Sequence, residues 1–236
     1  MRSQFAIDES SPGPMPRIGA VAAIVGTLIY IAMSVLHGNP PIEDASKILD
    51  HVADRPWWRA AHLANILAVL LWLGALTTLT GSLGRGDAQV LGRISQAMMT
   101  CTSAVFAIYF SIHGFGFSAL AGRWVDVAAP ERGALLTETN AVLTLLGSTA
   151  FTAQALLGLS ILLYGLAVAF SNGFLRWLGW VGAVAGAGWT IGALIVSFEV
   201  IVPFTALSWI WMVAIGAVMW VRAGTRAKQL EHVTRA

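Results

Sequence analysis

Four ionisable side chains lie inside or at the ends of long apolar segments: His37, His62, His113 and Glu199. Placing such groups in hydrocarbon is costly, so each calls for a partner or a function. Three imidazoles and one carboxylate form a donor set suited to a divalent metal, zinc or non-haem iron, with His37, His62, His113 and Glu199 as ligands. Histidines on facing helices can also supply the axial ligands of a haem, and His62 and His113 are the expected cofactor-binding pair. The same groups support acid–base catalysis on a lipid-soluble substrate, with His113 as base and Glu199 as acid or charged partner. No HxxxH or ExxH spacing sets two of these residues on one helical turn, so any joint chemistry requires several helices to converge.

Polar neighbours extend the constellation. Asn65 follows His62 by three residues and Tyr109 precedes His113 by four, which puts each on the same helix face as its histidine. Asn140, Thr144 and Ser148 make an i, i+4, i+8 stripe, with Gln154 farther along the same segment. Lipid offers amides and hydroxyls no partners, so this stripe is expected to face the interior of a bundle. Together these residues would line a polar pocket for a small lipophilic molecule or for a haem or metal cofactor. The bland alternatives are a cap for His37, which precedes Gly38, Asn39 and Pro40, and interfacial roles for His51 and His62.

The elements that must position them are membrane helices. Of 236 residues, 57% are hydrophobic and 11% charged, against about a quarter charged in a soluble domain. A spanning helix needs about 20 apolar residues. Six segments qualify: Ile18 to Leu36, Ala61 to Leu83, Ser95 to Leu120, Ala141 to Phe170, Trp177 to Ser197 and Phe204 to Val221. The expected fold is therefore all-α, a polytopic six-helix bundle over residues 17–222 between cytoplasmic tails at 1–16 and 223–236. The fourth segment is long enough to tilt or to project from the membrane. The first tail is polar and unlike a signal peptide, so the first segment is expected to direct insertion itself.

Orientation follows from the basic residues. With the amino terminus inside, nine fall inside (Arg2, Arg17, Arg85, Arg93, Arg176, Arg222, Arg226, Lys228, Arg235) and five outside (Lys47, Arg55, Arg59, Arg123, Arg132). Both termini are thus expected in the cytoplasm, in a cell-membrane protein whose four ionisable groups lie toward the outer side. The first outer loop predicts a short amphipathic helix between Pro41 and Asp54. Its apolar residues Ile42, Ala45, Ile48, Leu49 and Val52 would rest in the interface, opposite a Glu43–Lys47 pair. Trp57 and Trp58 follow at the place of an aromatic belt. Gly182 and Gly186, then Gly188 and Gly192, stand at GxxxG spacing and predict close helix packing, as do Gly147 and Gly158. Trp72 and Trp189 are the tryptophans deep enough to wall a pocket, with core packing the simpler role.

Several classes are excluded or disfavoured. The lone Cys101 excludes a disulfide framework. Basic residues do not cluster with aromatics, so no nucleic-acid partner is expected. Walker, Rossmann, GxSxG and HExxH motifs are all missing. Small-solute transport stays an alternative, disfavoured because the two halves show no matching interrupted helices. Oligomeric state is not encoded in these patterns.

The segment from His37 through the acidic loop into WWRAAHLANILAVLLWLGAL, with FLRWLGWVGAVAGAGWTIGAL later, resembles a group of six-helix membrane proteins common in actinobacteria, a family defined by a domain of unknown function. The shared layout is a histidine ending helix one (His37), a Trp-x-x-x-His start to helix two (Trp58, His62) and an Arg-Trp-Leu-Gly start to helix five (Arg176 to Gly179). The resemblance implies the six-helix architecture and a pairing of His37 with His62, and it carries no activity.

Overall fold

The computed structural model describes residues 15–38 and 40–235, with side chains described as far as residue 225. The expectations for residues 1–14, for Asn39 and for the side chains of the carboxy-terminal tail lie outside the described residues.

Eight α-helices account for nearly all of it: α1 Met15–His37, α2 Ala45–Ala53, α3 Trp58–Ser82, α4 Asp87–Ser111, α5 Phe117–Asp126, α6 Arg132–Ala169, α7 Arg176–Leu194 and α8 Phe198–Arg235. A π-helical turn, Ile112–Gly116, joins α4 to α5 without breaking the rod, and a 3-10 turn, Ala129–Glu131, leads into α6. Six stretches are long and apolar enough to cross a membrane: Met15–His37, Trp58–Ser82, Asp87–Asp126, Ala129–Ala169, Arg176–Leu194 and Phe198–Thr225. The chain is an all-α, multi-pass membrane protein.

The six spans close into a ring in chain order. Each packs on the next, from α1 to α3, α4, α6, α7 and α8, and α8 returns to α1. Trp72, Trp189, Trp211, Tyr164 and Phe106 fill the centre and are fully buried. The indole N–H groups of Trp72 and Trp189 donate to Thr27 Oγ1 at 3.0 Å and Gln154 Oε1 at 2.6 Å, so both tryptophans belong to the core. Paired indoles of this kind satisfy their one polar atom inside lipid. The α6–α7 seam is built on small residues. A Cβ on Gly186 would run into the Leu162 backbone and one on Gly158 into Thr190, whereas Gly182 and Gly188 admit Trp211 and Phe204 of α8. Gly147 differs from this expectation, since open space borders it.

At the α2 end, two rods are longer than the sequence suggested. The third span begins at Asp87 and runs to Asp126, and α6 begins at Arg132. Their ends project past the shorter helices and present apolar surface. The amphipathic helix expected in the first outer loop is α2, and its apolar face packs on that surface. Ile48, Leu49 and Val52 are buried against Trp58, Phe117, Leu120, Leu135 and Leu146, a second core above the main one. Trp124 of α5 donates to Asp50 at 2.7 Å and ties α2 down. Asp44 caps α2, accepting from the Ser46 and Lys47 amides at 3.0 and 3.1 Å and from the Ser46 hydroxyl at 2.7 Å. These bonds hold its carboxyl down to about 2, against an ordinary 3.8, so the charged cap persists until pH falls through that lower value. Lys47 pairs with this same Asp44 at 3.2 Å rather than with Glu43, and Ile42 is exposed rather than part of the buried face.

Candidate metal centre

Three helices bring three histidines to one point. His37 is the last residue of α1, where Gly38, at φ +67°, turns the chain out of the helix, the left-handed conformation that glycine adopts without penalty. His62 sits on the second turn of α3, and His113 within the π-helical turn. A π turn inserts one residue into an α-helix and redirects side chains locally, which is why such turns recur at functional sites. Carbonyls of this turn are taken by side chains: Trp58 Nε1 donates to His113 O at 2.9 Å and Ser118 Oγ to Gly114 O at 2.7 Å. Gly114 permits the close approach of α3, because a Cβ there would stand 2.6 Å from His62 Cβ.

The ring centres of His37 and His62 are 5.3 Å apart, those of His37 and His113 4.8 Å, and those of His62 and His113 4.6 Å. One ligand nitrogen from each lies within 4.8 Å of the other two. His62 and His113 are 1% and 3% exposed, and His37 is half-buried. His62 Nδ1 lies 2.7 Å from Trp58 O and His37 Nδ1 lies 3.1 Å from Gly38 O. A carbonyl only accepts, so in both rings Nδ1 carries the proton and Nε2 presents its lone pair. Metal-binding histidines are oriented in this way, by a backbone carbonyl on the far nitrogen. His62 Nε2 and both nitrogens of His113 are buried with no hydrogen-bond partner among the described residues. Each such orphan costs about 1–3 kcal/mol if nothing satisfies it.

Trp58, expected as a belt residue and as the first member of the Trp-x-x-x-His pattern, is the hub of the cluster. It is buried, and its indole touches His37 (4.8 Å, stacked), His62 (4.5 Å), His113 (5.2 Å) and His51 (5.7 Å, edge-on). His51, on α2, is the fourth histidine of this ring around Trp58. Burial, and secondarily the charge of Arg55, lower its pKa from the ordinary 6.5. A depressed histidine pKa means the unfolded chain takes the proton first. Stability therefore falls as pH drops from about 6.5 through the lower folded value. The melting temperature is expected to decline on acidification from about pH 7.5 to about 5.5, with a shallower slope in His51→Gln.

His37 and His113 border a cavity of about 440 Å³ between α1, α3, α4, α6, α8 and the loop at Pro40 and Ile42; His62 is not on its wall. Asn65, Tyr109 and Gln154 line it, and so does Gly147. Asn140 and Thr144 do not. They and Ser148 are exposed on the outer face of α6, where Thr144 bonds to Asn140 O at 3.1 Å and Ser148 to Leu145 O at 2.9 Å. Hydroxyls that bond to their own helix need no interior partner, which removes the reason for turning that stripe inward. The polar atoms on the cavity wall come partly from α8, where Thr205 Oγ1 and Trp209 Nε1 are buried without partners among the described residues. Glu199 lies in the first turn of α8, exposed, at the margin of the stripe formed by Phe198, Ile201, Val202 and Thr205, and it is outside the histidine group. The donor set that the structure gathers is therefore three imidazoles without the carboxylate.

No protein-family model, curated protein or solved structure matches this chain.

Proposed function

We propose that this membrane protein holds a single divalent metal ion, zinc by its nitrogen donors, between His37, His62 and His113, and presents the open coordination position of that ion to a lipophilic ligand in the adjoining cavity. The spacing of the rings carries the reading. With metal–nitrogen bonds of about 2.0–2.1 Å, each imidazole centre stands roughly 3.2 Å from the ion, so rings 90–110° apart are about 4.5–5.2 Å from centre to centre. The three observed separations, 4.6, 4.8 and 5.3 Å, match that arrangement. Small ring rotations bring the nitrogens to the separation of about 3 Å that a bound ion sets. An ion would also satisfy nitrogens that nothing else among the described residues satisfies.

The same spacing does not suit a haem. Axial ligands stand on opposite sides of the iron, which puts their ring centres roughly 6 Å apart or more, with a macrocycle between them. His62 and His113 are 4.6 Å apart and packed edge to face. Acid–base catalysis by His113 with Glu199 loses support because Glu199 is exposed away from the cluster. Three protein ligands with a fourth position free is the pattern of catalytic rather than structural zinc. The basic residues support an orientation with the histidine end outside and both termini in the cytoplasm of a cell-membrane protein.

Elemental analysis of the protein purified in mild detergent tests the reading. About one zinc per chain is expected, or the same stoichiometry after zinc is supplied to chelator-treated protein. Protein that stays metal-free after incubation with zinc, cobalt and copper would sink it.

A further inference from the structure

The fourth ligand of the ion can be inferred from charge and access, resting on the metal reading above. Three neutral imidazoles leave both positive charges of a divalent ion uncompensated. Among the described residues, no Asp, Glu, Lys or Arg lines the cavity. In a low-dielectric site an uncompensated charge is strongly unfavourable, so the ion selects an anion for its open position. The protein does not supply that anion from the cavity wall, so it must arrive with the ligand or as hydroxide.

The route of arrival is written in the α7–α8 turn. Three residues edging the cavity, Ile42, Phe198 and Val202, are 45%, 56% and 61% exposed, so the cavity opens between them. In the turn beside this mouth, Leu194, Ile195 and Val196 are also exposed, at 70%, 61% and 59%. The exposed carboxylate of Glu199 follows directly, so the collar sits at the outer edge of the apolar layer, on the α7–α8 turn. Its amides, moreover, are all bonded within the chain: Ile195 N to Ile191 O, Val196 N to Ala193 O and Ser197 N to Gly192 O, as a segment in contact with lipid requires. Phe151 of α6 meets Phe198 with tilted rings 5.5 Å apart, which marks the level of the turn, and α6 continues for 19 residues beyond Phe151 to Arg132, about 28 Å more. α7, itself long enough to span, therefore ends well short of α6, and Phe198 and Val202 open the α8 stretch Phe198–Thr225 that is apolar enough to cross a membrane, with the exposed Glu199 at its outer edge. The mouth faces lipid.

We infer that the cavity takes a single-chain amphiphile with an anionic oxygen head, of the fatty-carboxylate class, admitted sideways from the membrane over the α7–α8 turn. Its head completes the coordination of the ion and its chain leaves along Leu146, Gly147, Phe151 and Val202. The charge that the histidines leave open selects the head, and the lipid-facing mouth selects the chain.

Cobalt-loaded protein in a neutral detergent reports the head group through the visible d–d bands of the ion. Dodecanoate is expected to shift those bands at a concentration at least about tenfold lower than acetate does, because only the former gains from burying methylene groups. Dodecanol at the same concentration should leave them unchanged. Gly147→Leu, which fills open space in the cavity wall, should erase the advantage of dodecanoate over acetate. Equal potency of dodecanoate and acetate in the wild-type protein would overturn the lipid chain. An equal response to dodecanol would overturn the anionic head. Failure to take up cobalt at all, seen before any amphiphile is added, would instead bring down the metal reading and this inference with it.

Discussion

His113→Phe protein is expected to fold, to melt at a higher temperature than the metal-free wild type, and to have lost its zinc. Both nitrogens of His113 are buried without partners among the described residues, so replacing the ring by a phenyl group removes two desolvated polar atoms. Each orphan is worth about 1–3 kcal/mol, and the rings around the site, Trp58, Tyr109 and Phe117, can pack on a phenyl group as they do on imidazole. Zinc binding should weaken by more than ~100-fold, since even the loss of an outer-shell partner costs about 10–100-fold. In the wild type, zinc at about a hundred times its dissociation constant adds about 2.7 kcal/mol of stability by mass action. The zinc-dependent rise in melting temperature should be absent in His113→Phe and in His62→Ala, and intact in Glu199→Gln, whose side chain is exposed away from the triad. If Glu199→Gln lost zinc as the histidine variants do, the donor set would have to include a carboxylate. If His113→Phe destabilised the metal-free protein, the ring would be holding the fold rather than an ion.

The bundle was legible because lipid imposes one rule on every residue it touches. Runs of apolar residues of the right length gave all six spans, although the third and fourth begin eight or nine residues earlier than hydropathy indicated. Those extra turns, from Asp87 and from Arg132, are polar enough to escape a hydrophobicity criterion and are helical because they pack on neighbours. The meeting of His37, His62 and His113 was half legible. Their similar depth could be counted along each helix, but the order of helices around the ring could not, since spacing within a helix says nothing about which helix lies beside it.

Other parts of the site left fainter marks. Thr144 and Ser148 face outward because hydroxyl groups in a helix satisfy themselves on the preceding turn, and Asn140 is exposed beside them, so a polar stripe does not have to point inward. Trp58 looked like a belt residue, and only the packing of α2 over it makes it the centre of four imidazoles. The π-helical turn had one legible sign, two glycines at Gly114 and Gly116 inside an otherwise apolar helix. Glycine costs about 0.5–1 kcal/mol in a helix interior relative to alanine, so a pair of them beside a buried histidine signals a close approach or an irregular turn. Here Gly114 marks the former, against His62, within the latter.

That distinction between the two glycines leads to the second expected result, a metal site weakened without touching a ligand. In Gly114→Ala the new methyl group would stand 2.6 Å from His62 Cβ and 3.0 Å from its Cγ. Those atoms sit close to the α3 backbone and cannot swing aside as the tip of a flexible side chain would, so α3 and the π turn must separate by several tenths of an ångström. Overpacking of this kind costs about 1–3 kcal/mol. The larger effect falls on zinc, because His62 and His113 move apart while His37 stays on α1. Affinity is expected to drop about 10–100-fold, the range seen when a ligand is kept but its support is disturbed. Gly116→Ala, two residues away with nothing within 4 Å of the added carbon, should bind zinc as the wild type does and should be as stable or slightly more so. The pair is measured by competition with a zinc-sensitive dye and by melting with and without zinc. Loss of zinc in Gly114→Ala alone would tie the ion to the approach of α3 and the π turn. Equal zinc affinity in both variants would mean that the contact between Gly114 and His62 is a packing detail and that the three imidazoles do not share an ion.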